Sequence, residues 1–134
     1  MTEGEYKVAI NSERDIVLAR QKGRAMATEF GFTIGNATLI ATTISELARN
    51  IITYAGKGEI VMSVVRDSDR MGIIIVASDN GPGIPDIPLA LRDGFSTSGS
   101  LGIGLPGTRR LMDEFNIESQ PGSGTIVKVT KWKS

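Results

Sequence analysis

The chain predicts an α+β fold: a two-layer α/β sandwich with a mixed, mostly antiparallel sheet and helices on one of its faces. Three patterns lead there. Residues 59–66 and 71–78 are strand-like segments flanking Asp67-Ser68-Asp69-Arg70, which is the layout of a β-hairpin. Two long segments before the hairpin and a shorter one after it place apolar residues at helical spacing. A closing segment, 125–132, is rich in β-branched residues and reads as a last strand.

Taken in order, residues 6–10 alternate as a short strand, and Ser12-Glu13-Arg14-Asp15 then offers a cap for a helix running to about Phe30. Ile16, Ala19, Gly23, Met26, Ala27 and Phe30 form its apolar stripe, suited to packing on a sheet, with an outer edge open to a protein partner. Gly31 to Gly35 breaks this helix. A second one, starting at Gly35 or Asn36, turns Leu39, Ile40, Ile44, Leu47, Ala48, Ile51 and Ile52 inward and ends in Tyr54-Ala55-Gly56-Lys57-Gly58. After the hairpin come a short helical turn near 87–93, a Ser/Gly-rich segment, a helix over 105–114 and strands near 116–120 and 125–132. Pro106 falls in the first turn of that helix, where its missing N–H costs little.

Composition narrows the function classes. With 134 residues, the chain suits one domain spanning 1–134 with a substantial core. Lys plus Arg and Asp plus Glu each number 15, so no strong field draws nucleic acid or an anionic membrane. Cysteine is absent, which removes disulfides and thiolate metal sites. Histidine is absent too, which excludes autophosphorylation on histidine and a Ser-His-Asp triad. No stretch is long and apolar enough to span a membrane, and Met1-Thr2-Glu3-Gly4-Glu5 lacks the marks of a signal peptide, so a cytoplasmic location is expected.

The chemistry gathers in three places. Asp79-Asn80-Gly81-Pro82-Gly83-Ile84-Pro85 follows an apolar strand. A carboxylate at a strand end can accept a hydrogen bond from an exocyclic amine such as that of adenine, and Gly81 and Gly83 let the backbone approach a flat ligand. The same letters also suit a plain surface turn. Ser96-Thr97-Ser98-Gly99-Ser100-Leu101-Gly102-Ile103-Gly104 lies directly before the helix that begins at Leu105, whose positive end would face an anion. Such a segment suits a lid over phosphates or a flexible linker. Glu46 and Asn50 stand four apart on one helical face. Asn50 is a candidate oxygen ligand for Mg²⁺ shared with nucleotide phosphates, and Glu46 a candidate base for phosphoryl transfer. A solvated polar strip is the alternative for both. Lys57, Arg92, Arg109 and Arg110 are open to a phosphate, an acidic partner or solvent.

In this order the elements resemble the GHKL family of ATP-binding domains, which includes gyrase, the Hsp90 chaperone, histidine kinases and MutL. The likeness spans nearly the whole chain and implies the Bergerat ATP-binding fold with ATP and Mg²⁺ as cofactors. It also implies roles for Glu46 as base, Asn50 as metal ligand, and Asp79, Gly81 and Gly83 around adenine. Phe95, Ser96, Thr97, Ser98, Gly99, Gly102, Ile103, Gly104 and Leu105 would form the lid and its exit. Thr125, after Gly124, matches the position where a threonine supports the aspartate, although Gly122-Ser123-Gly124-Thr125 also suits a hairpin turn.

Glu46-Leu47-Ala48-Arg49-Asn50, Asp93-Gly94-Phe95-Ser96-Thr97-Ser98, Gly104-Leu105-Pro106-Gly107 and Arg110-Leu111-Met112-Asp113-Glu114-Phe115 look like the serine/threonine switch-kinase branch of that family. That branch implies phosphorylation of STAS-domain partners in a stressosome, or partner-switching, stress module, followed by engagement of a PP2C-type phosphatase. The alternative is an anti-sigma-factor kinase that binds a sigma factor and phosphorylates an anti-anti-sigma factor. Self-association stays open.

Overall fold

The computed structural model describes residues 2–82, 104–120 and 122–133. The helical turn expected near 87–93 and most of the Ser/Gly-rich segment lie outside them. Among the described residues, β1 (Thr2–Ile10), α1 (Glu13–Glu29), α2 (Ile34–Ala55), β2 (Gly58–Asp67) and β3 (Arg70–Asp79) precede α3 (Gly104–Leu111), β4 (Glu114–Gln120) and β5 (Gly124–Trp132). The strands form one sheet in the order β1-β2-β3-β5-β4. Every described pairing is antiparallel, so the sheet is simpler than the mixed one expected.

Register decides which side of the sheet is core. Ile60, Met62 and Val64 of β2 stand opposite Ala77, Ile75 and Ile73 of β3, and Val127 and Val129 of β5 oppose Ala77 and Ile75. All eight are buried. Because side chains alternate along a strand, Asp79 and Thr125 fall on this helix-facing side, whereas Ser78 and Ile126 fall on the opposite one. α2 packs against β1, β2, β3 and β5, and α1 lies across α2. A Cβ on Gly23 of α1 would collide with Cδ1 of Ile44, so the bare glycine lets the two helices approach closely.

The helix ends follow local chemistry. The Asp15 carboxylate accepts from the backbone N–H of Asn11 at 2.8 Å and of Ser12 at 3.1 Å, which fixes the start of α1. α2 begins slightly earlier than the glycine and asparagine suggested. Thr33 is its N-cap, its Oγ1 accepting from Asn36 N at 3.1 Å, and Gly56 closes it at φ 83°.

α3 is shorter than the 105–114 expected. Lys131 of β5 donates to the carbonyl of Leu111 at 3.2 Å, and Asp113 N donates to Thr130 O at 3.0 Å. Asp113 Oδ2 in turn accepts from Trp132 N at 2.7 Å. These contacts to β5 pull the chain out of the helix, and Glu114 already belongs to β4.

Loss of the Thr33 cap in Thr33→Ala is expected to lower stability by about 1 kcal/mol. Ile75→Ala, a truncation in the central strand, is expected to cost about 2–5 kcal/mol. Urea denaturation monitored by circular dichroism measures both.

Candidate active site

The end of β3 is built by close backbone approach. Asp79 stands in register with Gly58 of β2 and Thr125 of β5. A Cβ on Gly58 would run into the Ser78 carbonyl, and one on Gly124 into the Asp79 carbonyl. Gly124 also has φ 90°, a conformation that L side chains rarely adopt. Beyond the strand, Gly81 N donates to Asp79 Oδ1 at 2.9 Å, and a Cβ there would meet Ala55 of α2. Gly122 N donates to Pro82 O at 2.8 Å and ties the β4–β5 turn to the same loop. Glycines on three segments thus hold one carboxylate in place.

A narrow cavity of about 30 Å³ lies beside that carboxylate. Asp79, Ala77, Thr125 and Val127 supply its sheet side, and Leu47, Asn50, Ile51 and Tyr54 of α2 its helix side. Leu105, second residue of α3, completes it, so the first turn of α3 stands at the cavity. A larger cleft of about 480 Å³ also touches Asp79. It is lined by Asn11, Lys57, Ser78, Asn80 and Ser123 and by Ile126, of which Ser78 and Ile126 belong to the uncovered side of the sheet. The narrow cavity is the better candidate despite its size, because strand alternation places the Asp79 and Thr125 side chains on its side and Asn50 lines it.

Asn50 brings an amide whose Oδ1 and Nδ2 are buried and make no hydrogen bond among the described residues. That is costly unless a ligand or water supplies the partner. Glu46, one turn earlier, is 1% exposed. Thr125 Oγ1 sits 2.8 Å from Ser119 Oγ, which also donates to Gly124 O at 3.2 Å. The hydroxyl expected beside the aspartate is therefore held by β4.

Gly83, Phe95, Ser96, Thr97, Ser98, Gly99, Gly102 and Ile103 lie outside the described residues, as does Arg92. Gly104 opens α3, while Arg109 and Arg110 are exposed on that helix. Lys57 lines the larger cleft.

Two contributors escaped the sequence reading. Tyr54 passed as part of a helix end, yet its ring lines the cavity, and burial raises the pKa of its phenol. At neutral pH it is therefore an O–H donor with an apolar body. Its spacing of four from Asn50 was the available signal. Gly58 matters only through its approach to β3, which no local pattern reveals.

Residues 35–133 match the family of histidine kinase-, DNA gyrase B- and HSP90-like ATPases. The chain belongs to this family of ATP-using enzymes. Within it the chain is RsbT-like: it is 55% identical over 125 residues to the serine/threonine-protein kinase RsbT of Bacillus subtilis (strain 168), covering 93% of this chain and 94% of that one. An anti-sigma F factor of Caldanaerobacter subterraneus subsp. tengcongensis is 32% identical over 120 residues, covering 85% of this chain and 82% of its own. The fold is shared with the RsbU and RsbW domains of Rv1364c from Mycobacterium tuberculosis, at TM-score 0.62 and 18% identity over 98% of this chain and 33% of that one. It is shared also with the mycobacterial sensor histidine kinase MprB, at TM-score 0.55 and 20% identity over 96% and 97% of the two chains.

Gly124→Ala is expected to destabilise the protein by about 1–3 kcal/mol, since it combines φ strain with a backbone collision. Gly122→Ala is the control. Gly122 has a similar φ of 81° but no atom of the described residues within 4 Å of its added Cβ, so a larger loss of melting temperature at position 124 isolates the collision.

Proposed function

We propose that the protein is a serine/threonine kinase that transfers the γ-phosphate of ATP to a hydroxyl of a STAS-domain partner within a partner-switching stress module of the stressosome kind. When released from that partner, it binds and activates a PP2C-type phosphatase. The main support is the convergence of Asp79, Asn50 and Tyr54 on one cavity, with Glu46 buried one turn before Asn50 on α2, in a chain with 55% identity to RsbT.

In this reading Asp79 accepts the hydrogen bond of the adenine amine, with Gly81 and Gly83 admitting the flat base. The narrow cavity has room for about one water, so the base would enter by moving Tyr54, which is 42% exposed and the freest wall. Asn50 fits a magnesium site, because its buried amide oxygen has no protein partner and Mg²⁺ takes oxygen ligands. Bound Mg²⁺ would supply charge neutralisation at the phosphates. The lid from Phe95 to Gly104, through Ser96, Thr97, Ser98, Gly99, Gly102 and Ile103, would close over those phosphates, with Leu105 at its exit and Thr125 beneath the base. Glu46 takes the proton as the partner hydroxyl oxygen bonds to the γ-phosphorus, and ADP leaves with the electrons of the broken P–O bond.

The anti-sigma F relatives favour a second reading, an anti-sigma-factor kinase that captures a sigma factor and phosphorylates an anti-anti-sigma factor. Val17 and Leu18 on the outer side of α1, each 40% exposed, are an apolar surface for such a partner.

Purified protein with γ-labelled ATP, Mg²⁺ and STAS-domain proteins is expected to place label on a serine or threonine of one of them. Asp79→Asn should weaken ATP binding at least about tenfold, because an amide cannot reproduce the carboxylate's acceptor pattern. Glu46→Gln should spare binding and slow transfer by about 10²–10⁴. Nucleotide binding without any transfer, together with inhibition of transcription through a bound sigma factor, would select the second reading.

A further inference from the structure

α2 holds several hydroxyls, and they behave differently. Thr38 Oγ1 donates to the Ile34 carbonyl at 2.9 Å, and Ser45 Oγ to the Ala41 carbonyl at 3.0 Å, which is the usual way a helix satisfies such a side chain. Thr43 does not. It is 0% exposed, and its Oγ1 is buried without a hydrogen-bond partner among the described residues. A buried hydroxyl left so costs free energy that valine, of nearly the same shape, would avoid.

Its place on the helix suggests the partner. At 100° per residue, Thr43 lies about 20° from Asn50 and about 60° from Glu46 around the helix axis. Long side chains on a helix lean back over the preceding turn, so the Glu46 carboxyl is directed toward Thr43, three residues earlier. Glu46 Oε2 is buried in the same strip. Along α2, Thr43 thus comes first, Glu46 next, and then Asn50, which lines the cavity.

We propose that Thr43 is a positioning residue for Glu46, its hydroxyl donating to the Glu46 carboxylate when ATP is loaded. The role rests on the assignment of Glu46 as base above. That O–H···O bond would add to the contacts of the Glu46 side chain and help aim the carboxylate at the acceptor hydroxyl. Without it the carboxylate keeps its place on α2 but loses part of its aim.

The test compares Thr43→Val, Thr43→Ser and Glu46→Gln in the full chain, measuring melting temperature, the KM for Mg–ATP, and kcat for transfer to the STAS-domain protein labelled in the preceding experiment. Thr43→Val is expected to melt at the same or higher temperature and keep its KM within about twofold, while kcat falls about tenfold, the rate equivalent of one hydrogen bond to a charged group. Thr43→Ser should recover most of that loss. In the background of Glu46→Gln, Thr43→Val should cost nothing further, because the two act as a unit. Wild-type kcat in Thr43→Val, or equal impairment of the valine and serine variants, with Glu46→Gln still slow, overturns the positioning role and leaves the kinase reading standing. Full transfer by Glu46→Gln, or no transfer by the wild type, overturns the reading of Glu46 as base and the role of Thr43 with it.

Discussion

A helix buried on most of its surface can serve a charged ligand only if polar side chains are carried into the interior with it, and α2 lives under that constraint. It packs against both α1 and the sheet, and Ile40, Ile44, Leu47, Ala48 and Ile51 give it the apolar surface that this position demands. Thr43, Glu46 and Asn50 interrupt that surface. The Thr43 hydroxyl and the Asn50 amide have no hydrogen-bond partner among the described residues, and burying such groups costs free energy that apolar residues would not. The surrounding core offsets that cost, and in the proposed function the strip is where the helix meets its charged ligand.

The sheet answers α2 from the other side of the cavity. Asp79 ends the central strand β3, and its backbone is approached so closely by β2 and β5 that only glycine fits at positions 58 and 124. Ala55, at the last turn of α2, closes on Gly81 in the same way. The distance between the helix strip and the strand-end carboxylate is therefore set by backbone contacts, which are stiffer than side-chain contacts. In the proposed function the site grips a rigid base on one side and phosphates on the other, and would gain from that stiffness.

The end of α3 shows a different kind of control. Lys131 and Asp113 link the Leu111 carbonyl to β5, and Trp132 binds Glu114 through its indole N–H while Arg70 stacks on its ring at 3.7 Å. These polar contacts join the C-terminal edge of the helical layer to the sheet at the end of α3 opposite the cavity. The first turn of α3, carrying Leu105, is held against α2 by apolar packing. One end of the helix is therefore anchored by polar links and the other faces the site.

The amino-acid sequence by itself determined most of the elements and marked the candidate site residues. Periodicity marks α1, α2 and the hairpin to within a few residues, since each buries one face and repeats with its own period. The Asp79 loop and the Glu46–Asn50 pair are legible because their residue types are few and their spacing is short. Only the tertiary structure decided where α3 stops, because Lys131 and Thr130, about twenty residues downstream, capture its end. Only it showed that Gly58 and Gly124 press on the same strand, that Tyr54 lines the cavity, and that the Thr43 hydroxyl lacks a partner. Each of these depends on what lies across a layer or a neighbouring strand, and such contacts leave no local period for a sequence to display.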